Sequence, residues 1–204
     1  MFNNFYQKLL IKLSSIPVKK RIKKLGKDIP IYFDYNVSLD KININTLNTE
    51  VNSKTIFSLK PIIIKVVDNG SLNIQELTVR SGCYISASGP VKMGLNCFLN
   101  KNCTILSRVG VKIGHNLMCA DNVYIRDNDG HKLTKDGKRN TPKPITIGNN
   151  VWVGRGATIL KGVTIGDNVV IGAGSIVTKD IPPNCIAAGH PAKVIYKGKL
   201  SWAQ

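Results

Sequence analysis

Acidic residues are scarce in this chain of 204: 12 Asp and Glu stand against 29 Lys and Arg, a formal charge of +17. Such a surplus favours anionic partners (phosphates, acidic polysaccharide, an anionic membrane surface or nucleic acid) without choosing among them. Basic residues are not interleaved with stacking aromatics, so nucleic acid is the weakest of these and is not expected as a partner. No apolar run reaches the length of a membrane span, and charged residues interrupt every candidate signal-peptide core. The five cysteines (Cys83, Cys97, Cys103, Cys119 and Cys185) are odd in number and include no C-x-x-C pair. Neither a disulfide framework nor a zinc site is indicated. A reduced, cytoplasmic, metal-free protein is expected, and at this length one domain with a real core is the default.

What is abundant is a period. From Ile145 to Lys179 an aliphatic residue recurs every six positions, at Ile147, Val153, Ile159, Ile165, Ile171 and Val177. Two residues before each lies a second column, Ile145, Val151, Ala157, Val163, Val169 and Ser175, and glycine follows at Gly148, Gly154, Gly166 and Gly172. Slots two apart on a strand point to one face, so each pair points inward and the residue between points out. An amphipathic helix would need three- and four-residue steps, which these columns lack. A fixed six-residue period with paired apolar slots specifies a parallel β-helix, in which each short strand supplies one wall of a coil.

The run IGNNVWVGRGATILKGVTIGDNVVIGAGSIVTKDIPPNCIAAGHPAKVI resembles the C-terminal signature of the hexapeptide-repeat, left-handed β-helix acyltransferases. With IRDNDGH upstream, it is similar to the branch of bacterial O-acetyltransferases that modify surface polysaccharides such as capsule, O-antigen or polysialic acid. The resemblance covers about Val91 to Ile195. It implies an all-β, left-handed parallel β-helix, assembled as a homotrimer with active sites at subunit interfaces. It also implies acetyl-CoA as co-substrate and a carbohydrate acceptor.

In chain order, residues 1–27 place Phe2, Phe5, Tyr6, Leu9, Leu10 and Leu13 on one face of a short helix that Pro17 should end. The segment carries eight positive charges and no negative one. Two readings stand: a docked helix or solvated basic arm, or peripheral contact with the inner face of a membrane. The β-helix domain is expected over 28–182. Within it, 28–76 read as irregular first coils, because terminal repeats are usually atypical. The columns appear from Leu77/Val79, with two-residue corner insertions before Val91 and Val111. Residues 127–144, DNDGHKLTKDGKRNTPKP, hold almost nothing apolar and must stand out from the coil as a surface loop. The coil is expected to end at Thr178-Lys179-Asp180, and 183–204 to run back along it as a strand or short helix.

Three histidines exist. His131 lies in the extruded loop beside Asp127, Asp129 and Gly130. It reads either as a solvated loop residue or as a base whose second ring nitrogen a carboxylate, Asp129 or Asp127, holds protonated. The resemblance implies the second: His131 takes the proton of an acceptor hydroxyl as it attacks the thioester. His115 reads as a surface corner residue, and His190 is not expected in catalysis. Trp152 points outward between Val151 and Val153, which marks an interface. The resemblance adds that it walls the active site at a subunit boundary.

For the co-substrate, the resemblance implies backbone contacts at Gly154, Arg155, Ala173 and Thr178, with Lys179 at the nucleotide phosphates. Tyr196 stands where some relatives carry arginine, so Lys193 or Lys197 is expected to serve there. Arg126, Asp127 and Arg139 are the residues expected to face an anionic acceptor. No cysteine lies in a surface loop beside His131, which argues for direct transfer over an acyl-cysteine.

Rival readings are N-acetylation of an amino-sugar nucleotide and a non-catalytic solenoid that binds anionic polymer or membrane. The first would need Gly-rich strand–helix turns in an added N-terminal domain, and residues 1–76 show none. A metal-dependent hydratase of this fold would need three clustered histidines, which the sequence does not provide.

Overall fold

A six-residue period leaves two or three residues for a strand and the rest for a corner, and the chain folds accordingly. The computed structural model describes residues 31–35, 42–49, 62–131, 134–135 and 138–200; at 31–35, 42–49, 135, 138 and 139 it describes backbone alone. The expected helix of 1–27 lies outside the described residues.

Three flat faces form a prism. Face A stacks β1 (Ile31–Tyr35), β3 (Ile62–Val66), β5 (Tyr84–Ala87), β8 (Thr104–Ser107), β11 (Tyr124–Arg126), β16 (Thr158–Leu160) and β19 (Ile176–Val177). The other two faces share one sheet, creased along β4 (Ser71–Val79), with β2 (Ile42–Thr49) paired along it. Face B places β6 (Pro90–Met93), β9 (Val111–Ile113), β14 (Ile145–Ile147) and β17 (Thr164–Ile165) on the first half of β4. Face C places β7 (Cys97–Leu99), β10 (Met118–Cys119), β15 (Trp152–Val153), β18 (Val169–Ile171) and β20 (Cys185–Gly189) on its second half. All these pairs are parallel. β21 (Ala192–Lys197) closes face C antiparallel to β20, and β12 (Thr134–Lys135) with β13 (Lys138–Arg139) forms a small hairpin in the extruded loop. No helix occurs among the described residues. This is the architecture of the left-handed β-helix class expected from the repeat.

Inward columns fill the prism. Ile64, Ile85, Ile105, Ile125, Ile159 and Val177 stack in register along face A, each 0 or 1% exposed. Burying one such side chain contributes about 1.5–3 kcal/mol, so the coils are held by the repetition of a small term. Corner residues turn with positive φ, and Asn supplies most of the non-glycine ones because its short polar side chain tolerates that conformation. Asn96, Asn116, Asn150, Asn168 and Asn184, with φ of 53–58°, donate amide to amide down one corner at 2.7–3.1 Å. All five cysteines are buried free thiols; Cys83, Cys97, Cys103 and Cys119 lie in the inward columns of the period, and Cys185 lies in the coil that continues past Asp180.

Two boundaries differ from expectation. Residues 62–76 are not irregular: Ile62, Ile64, Leu72 and Ile74 are buried in register with the next coil. Their period is hidden because β4 runs straight through a corner, placing Leu77 five residues after Leu72 instead of six. Nor does the coil end at Asp180. Ile181 bridges to Ile165, and Cys185 and Ala187 continue the columns of Val169 and Ile171. The tail beyond is a strand, β21.

Candidate active site

The extruded loop leaves the prism where face A turns into face B. A third inward column on face A runs Val66, Ala87, Ser107, Asp127, and all four are buried. Asp127 is 0% exposed. One carboxylate oxygen accepts the backbone N–H groups of Arg108, Val109 and Gly110 at 2.9, 2.8 and 2.7 Å; the other accepts Arg108 N–H at 2.8 Å and Asn128 Nδ2 at 3.0 Å. The expectation that Asp127 faces the acceptor, or steers His131 directly, is therefore corrected: its oxygens are directed into the coil and filled there. Its carbonyl accepts Lys143 N–H at 3.0 Å, which closes the mouth of the loop.

The next residues are tied in turn. Asn128 Oδ1 accepts Gly130 N–H at 3.0 Å, an Asx-type turn, and Arg126 Nη2 at 3.3 Å. Gly130 has φ +78°, a conformation in which any other residue would be strained, and a Cβ there would displace the Arg126 guanidinium from its place 2.3 Å away. Arg126 also donates to Tyr124 Oη at 3.3 Å, while its Nε is buried without a partner among the described residues. Asp129 accepts Lys161 Nζ at 2.5 Å and the Asn140 amide, and Lys161 also donates to Asn140. The Lys161 contact, then Asn140, holds the Asp129 carboxyl below the usual carboxylate range. The expected Asp129–His131 pair is thus not formed here. His131 is exposed and makes no hydrogen bond among the described residues. Sequence reasoning missed Lys161 and Asn140, which carry no motif signal among 29 basic residues and a polar loop.

The remaining candidates fall on other parts of the prism. Trp152 is 44% exposed on face C, within an outward column of Phe98, Met118, Trp152, Val170, Ile186 and Tyr196. Gly154 and Arg155 lie on one rung of the corner from face C to face A, and Ala173 on the next. Gly154 N–H donates to the Ile171 carbonyl and Gly174 N–H to the Arg155 carbonyl, both at 2.8 Å. A Cβ at Gly156 or Gly174 would meet nothing within 4 Å, so this corner presents bare backbone to solvent. Thr178 and Lys179 lie on the opposite corner, one rung below Leu160 and Lys161, because Ile159 pairs with Val177. Lys193 is exposed on β21 opposite Ala188. The Arg139 side chain lies outside the described residues. His115 is exposed at the corner from face B to face C, and its Nδ1 accepts Leu95 N–H at 2.9 Å.

In a three-faced prism, face C lies opposite the corner from A to B. His131 with Thr178 and Lys179 therefore stands on the far side of the coil from Trp152, with Gly154, Arg155 and Ala173 on the corner where face C meets face A. One chain does not bring the two groups together. A groove of about 480 Å³ along face B carries Lys92 and Lys112 on adjacent rungs, beside Asn73, Thr146, His115 and Asn149. Among the described residues, no cluster of His, Cys, Asp or Glu is arranged to hold a metal, and no helix is long and apolar enough to cross a membrane.

Two family models match the chain: the bacterial transferase hexapeptide (six repeats) over residues 144–179, and the hexapeptide repeat of succinyl-transferase over 90–126. A Saccharomyces cerevisiae relative, itself named only as a candidate acetyltransferase, is 36% identical over 156 residues, 75% of this chain and 76% of that one. The chain belongs to the hexapeptide-repeat transferase family. Among solved structures, a galactoside acetyltransferase in complex with coenzyme A is 42% identical, with 65% of this chain and 64% of that one covered and a TM-score of 0.51. The polysialic acid O-acetyltransferase OatWY is 25% identical, with 86% and 90% covered and a TM-score of 0.60. Against curated members of the family with higher identity, the chain spans about half their length or less.

Proposed function

We propose that this chain is an acetyl-CoA-dependent O-acetyltransferase acting on a sugar hydroxyl of a bacterial surface polysaccharide or its precursor. The observation that carries the proposal is the state of His131. Asp127, Asn128 and Asp129 are each engaged elsewhere, while this imidazole stands exposed and unbonded among the described residues.

The residues fit the co-substrate. An extended pantetheine arm suits the bare corner of Gly154, Arg155 and Ala173, with the Trp152 indole on the adjoining face. Lys179 and Lys193 are exposed cations suited to phosphates. Trp152, Lys193 and the corner of Gly154, Arg155 and Ala173 meet His131 only when a second copy of the chain supplies them, while Lys179 lies on His131's own side. The working unit on this reading is a homotrimer with its sites between subunits. The apolar outer column of face C supplies a surface for that assembly.

At such a site His131 accepts the proton of the sugar hydroxyl as its oxygen bonds to the thioester carbonyl carbon. A backbone N–H stabilises the developing oxyanion. His131 then returns the proton to the sulfur as the C–S bond breaks. Arg126 and Arg139 by the loop, with the groove lysines Lys92 and Lys112, favour an acidic acceptor. The basic segment 1–27 holds the enzyme at the inner face of the membrane, where lipid-carried acceptors are assembled.

Purified protein should release thiol from acetyl-CoA in the presence of acidic oligosaccharides, each gaining one acetyl by mass. His131→Ala should abolish release with the assembly intact. Transfer at the wild-type rate by that variant would refute the assignment.

A further inference from the structure

We infer that Asp127 is a positioning residue for His131: its carboxylate is seated in a receptor built by the preceding coil, and that seat fixes how the loop leaves the prism. The inference rests on the reading of His131 as the base, but its first observable is the loop itself.

The receptor is the turn Ser107–Gly110. Three consecutive N–H groups, of Arg108, Val109 and Gly110, converge on the carboxylate, and Ser107 Oγ lies 3.4 Å from it. Such a nest of backbone dipoles satisfies a buried anion without a cation. The turn exists because two extra residues enter the corner before Val111. Elsewhere in the same inward column the slot holds Val66, Ala87 and Ser107, none of them charged. A carboxylate fills it only where the chain departs from the coil.

From that seat the bonding runs outward. The Asp127 carbonyl takes Lys143 N–H, so one residue clamps both the departing and the returning strand. Asn128 donates to the Asp127 carboxylate and accepts Gly130 N–H, which brings the constraint to the residue beside His131. The imidazole has no bond of its own among the described residues. Its place is inherited from Asp127.

Asp127→Asn is the test, because either amide rotamer turns an NH2 toward backbone donors. Trypsin reads the loop without any reference to activity. Cleavage at Lys132, Lys135, Lys138 and Arg139 should accelerate about tenfold or more in the variant. In turnover, kcat should fall about 10²-fold with KM for acetyl-CoA within about twofold, as for a misplaced base. The inflection of the pH–rate profile should stay where it is, since Asp127 does not touch the imidazole. Unchanged cleavage in a variant that melts like wild type overturns the inference, as does a shifted inflection. If the wild type transfers no acetyl group, the proposed activity fails and cleavage still decides this point. Should Asp127→Asn not fold, Ser107→Ala decides: it keeps the small slot that Ala87 fills one coil earlier, and should speed loop cleavage about two- to tenfold. No acceleration there would then overturn the inference.

Discussion

The Asp129 carboxylate lies 2.5 Å from the ammonium of Lys161, 32 residues further along the chain, and both contact Asn140. The loop is thereby pinned to the next coil at its waist, separately from the seat of Asp127 at its base. Asp129 is 43% exposed and Lys161 21%, so the pair should order the loop more than it stabilises the fold. Lys161→Met should leave the global melt nearly unchanged and loosen the loop, seen as faster amide exchange over 129–140. Unchanged exchange would contradict this role.

The same pair sets a pH dependence. Its carboxyl is held below the ordinary range, chiefly by Lys161, so its contribution is fully present above the unfolded value of about 3.9. It is lost only as pH falls through the lower folded value. Exchange over 129–140 in wild type and Lys161→Met should therefore differ by a constant factor from pH 5 to 8 and converge in strong acid. Convergence near neutrality would show that another group controls the loop.

The asparagine ladder makes a graded prediction. Asn116 sits at φ 58°, accepts from Asn96 and donates to Asn150. Asn116→Gly keeps the backbone comfortable and loses two side-chain hydrogen bonds, about 1–2 kcal/mol. Asn116→Ala adds the left-handed strain of about 1–2 kcal/mol. Denaturant unfolding should rank wild type above Gly above Ala; Ala equal to Gly would remove the strain argument.

A core aliphatic and a surface aromatic should part company. Ile125→Ala empties a fully buried slot and should cost about 2–5 kcal/mol. Trp152→Ala, at a residue 44% exposed, should leave the fold of a single chain intact and weaken assembly, measured by sedimentation. Assembly at wild-type concentration would show that the apolar column of face C is not a contact.

The thiols should be silent. All five are buried, and burial pushes those of Cys97 and Cys119 up. Native protein at pH 8 should resist iodoacetamide and keep its transferase activity, with all five reacting once unfolded. Inactivation of folded protein by the reagent would reopen an acyl-cysteine route.

The columns from Leu77 to Val177 were legible because a six-residue period leaves each inward slot a fixed address. Where the address shifts, legibility fails. The straightened corner in β4 hid the coil before Leu77, and beyond Asp180 the run Ile181-Pro182-Pro183-Asn184 hides a corner, which needs few backbone donors. Asp127 resembled its polar loop neighbours; only its position two residues after Ile125, in the column of Ala87 and Ser107, marked it as inward. The partner of Asp129 was beyond reach, since a lysine among many gives no sign of which carboxylate it will meet. Trp152, outward on its face, was read from alternation alone.

The central claim is that His131 of one subunit works on a thioester held by another, and complementation tests it most directly. His131→Ala lacks the base, and Ala173→Trp fills the exposed corner proposed to hold the pantetheine arm. Refolded together in equal amounts, two inactive proteins should recover about a quarter of wild-type acetyl transfer, the fraction of interfaces that unite an intact half from each. Mixed trimers that form and stay inactive beside an active wild type would contradict it.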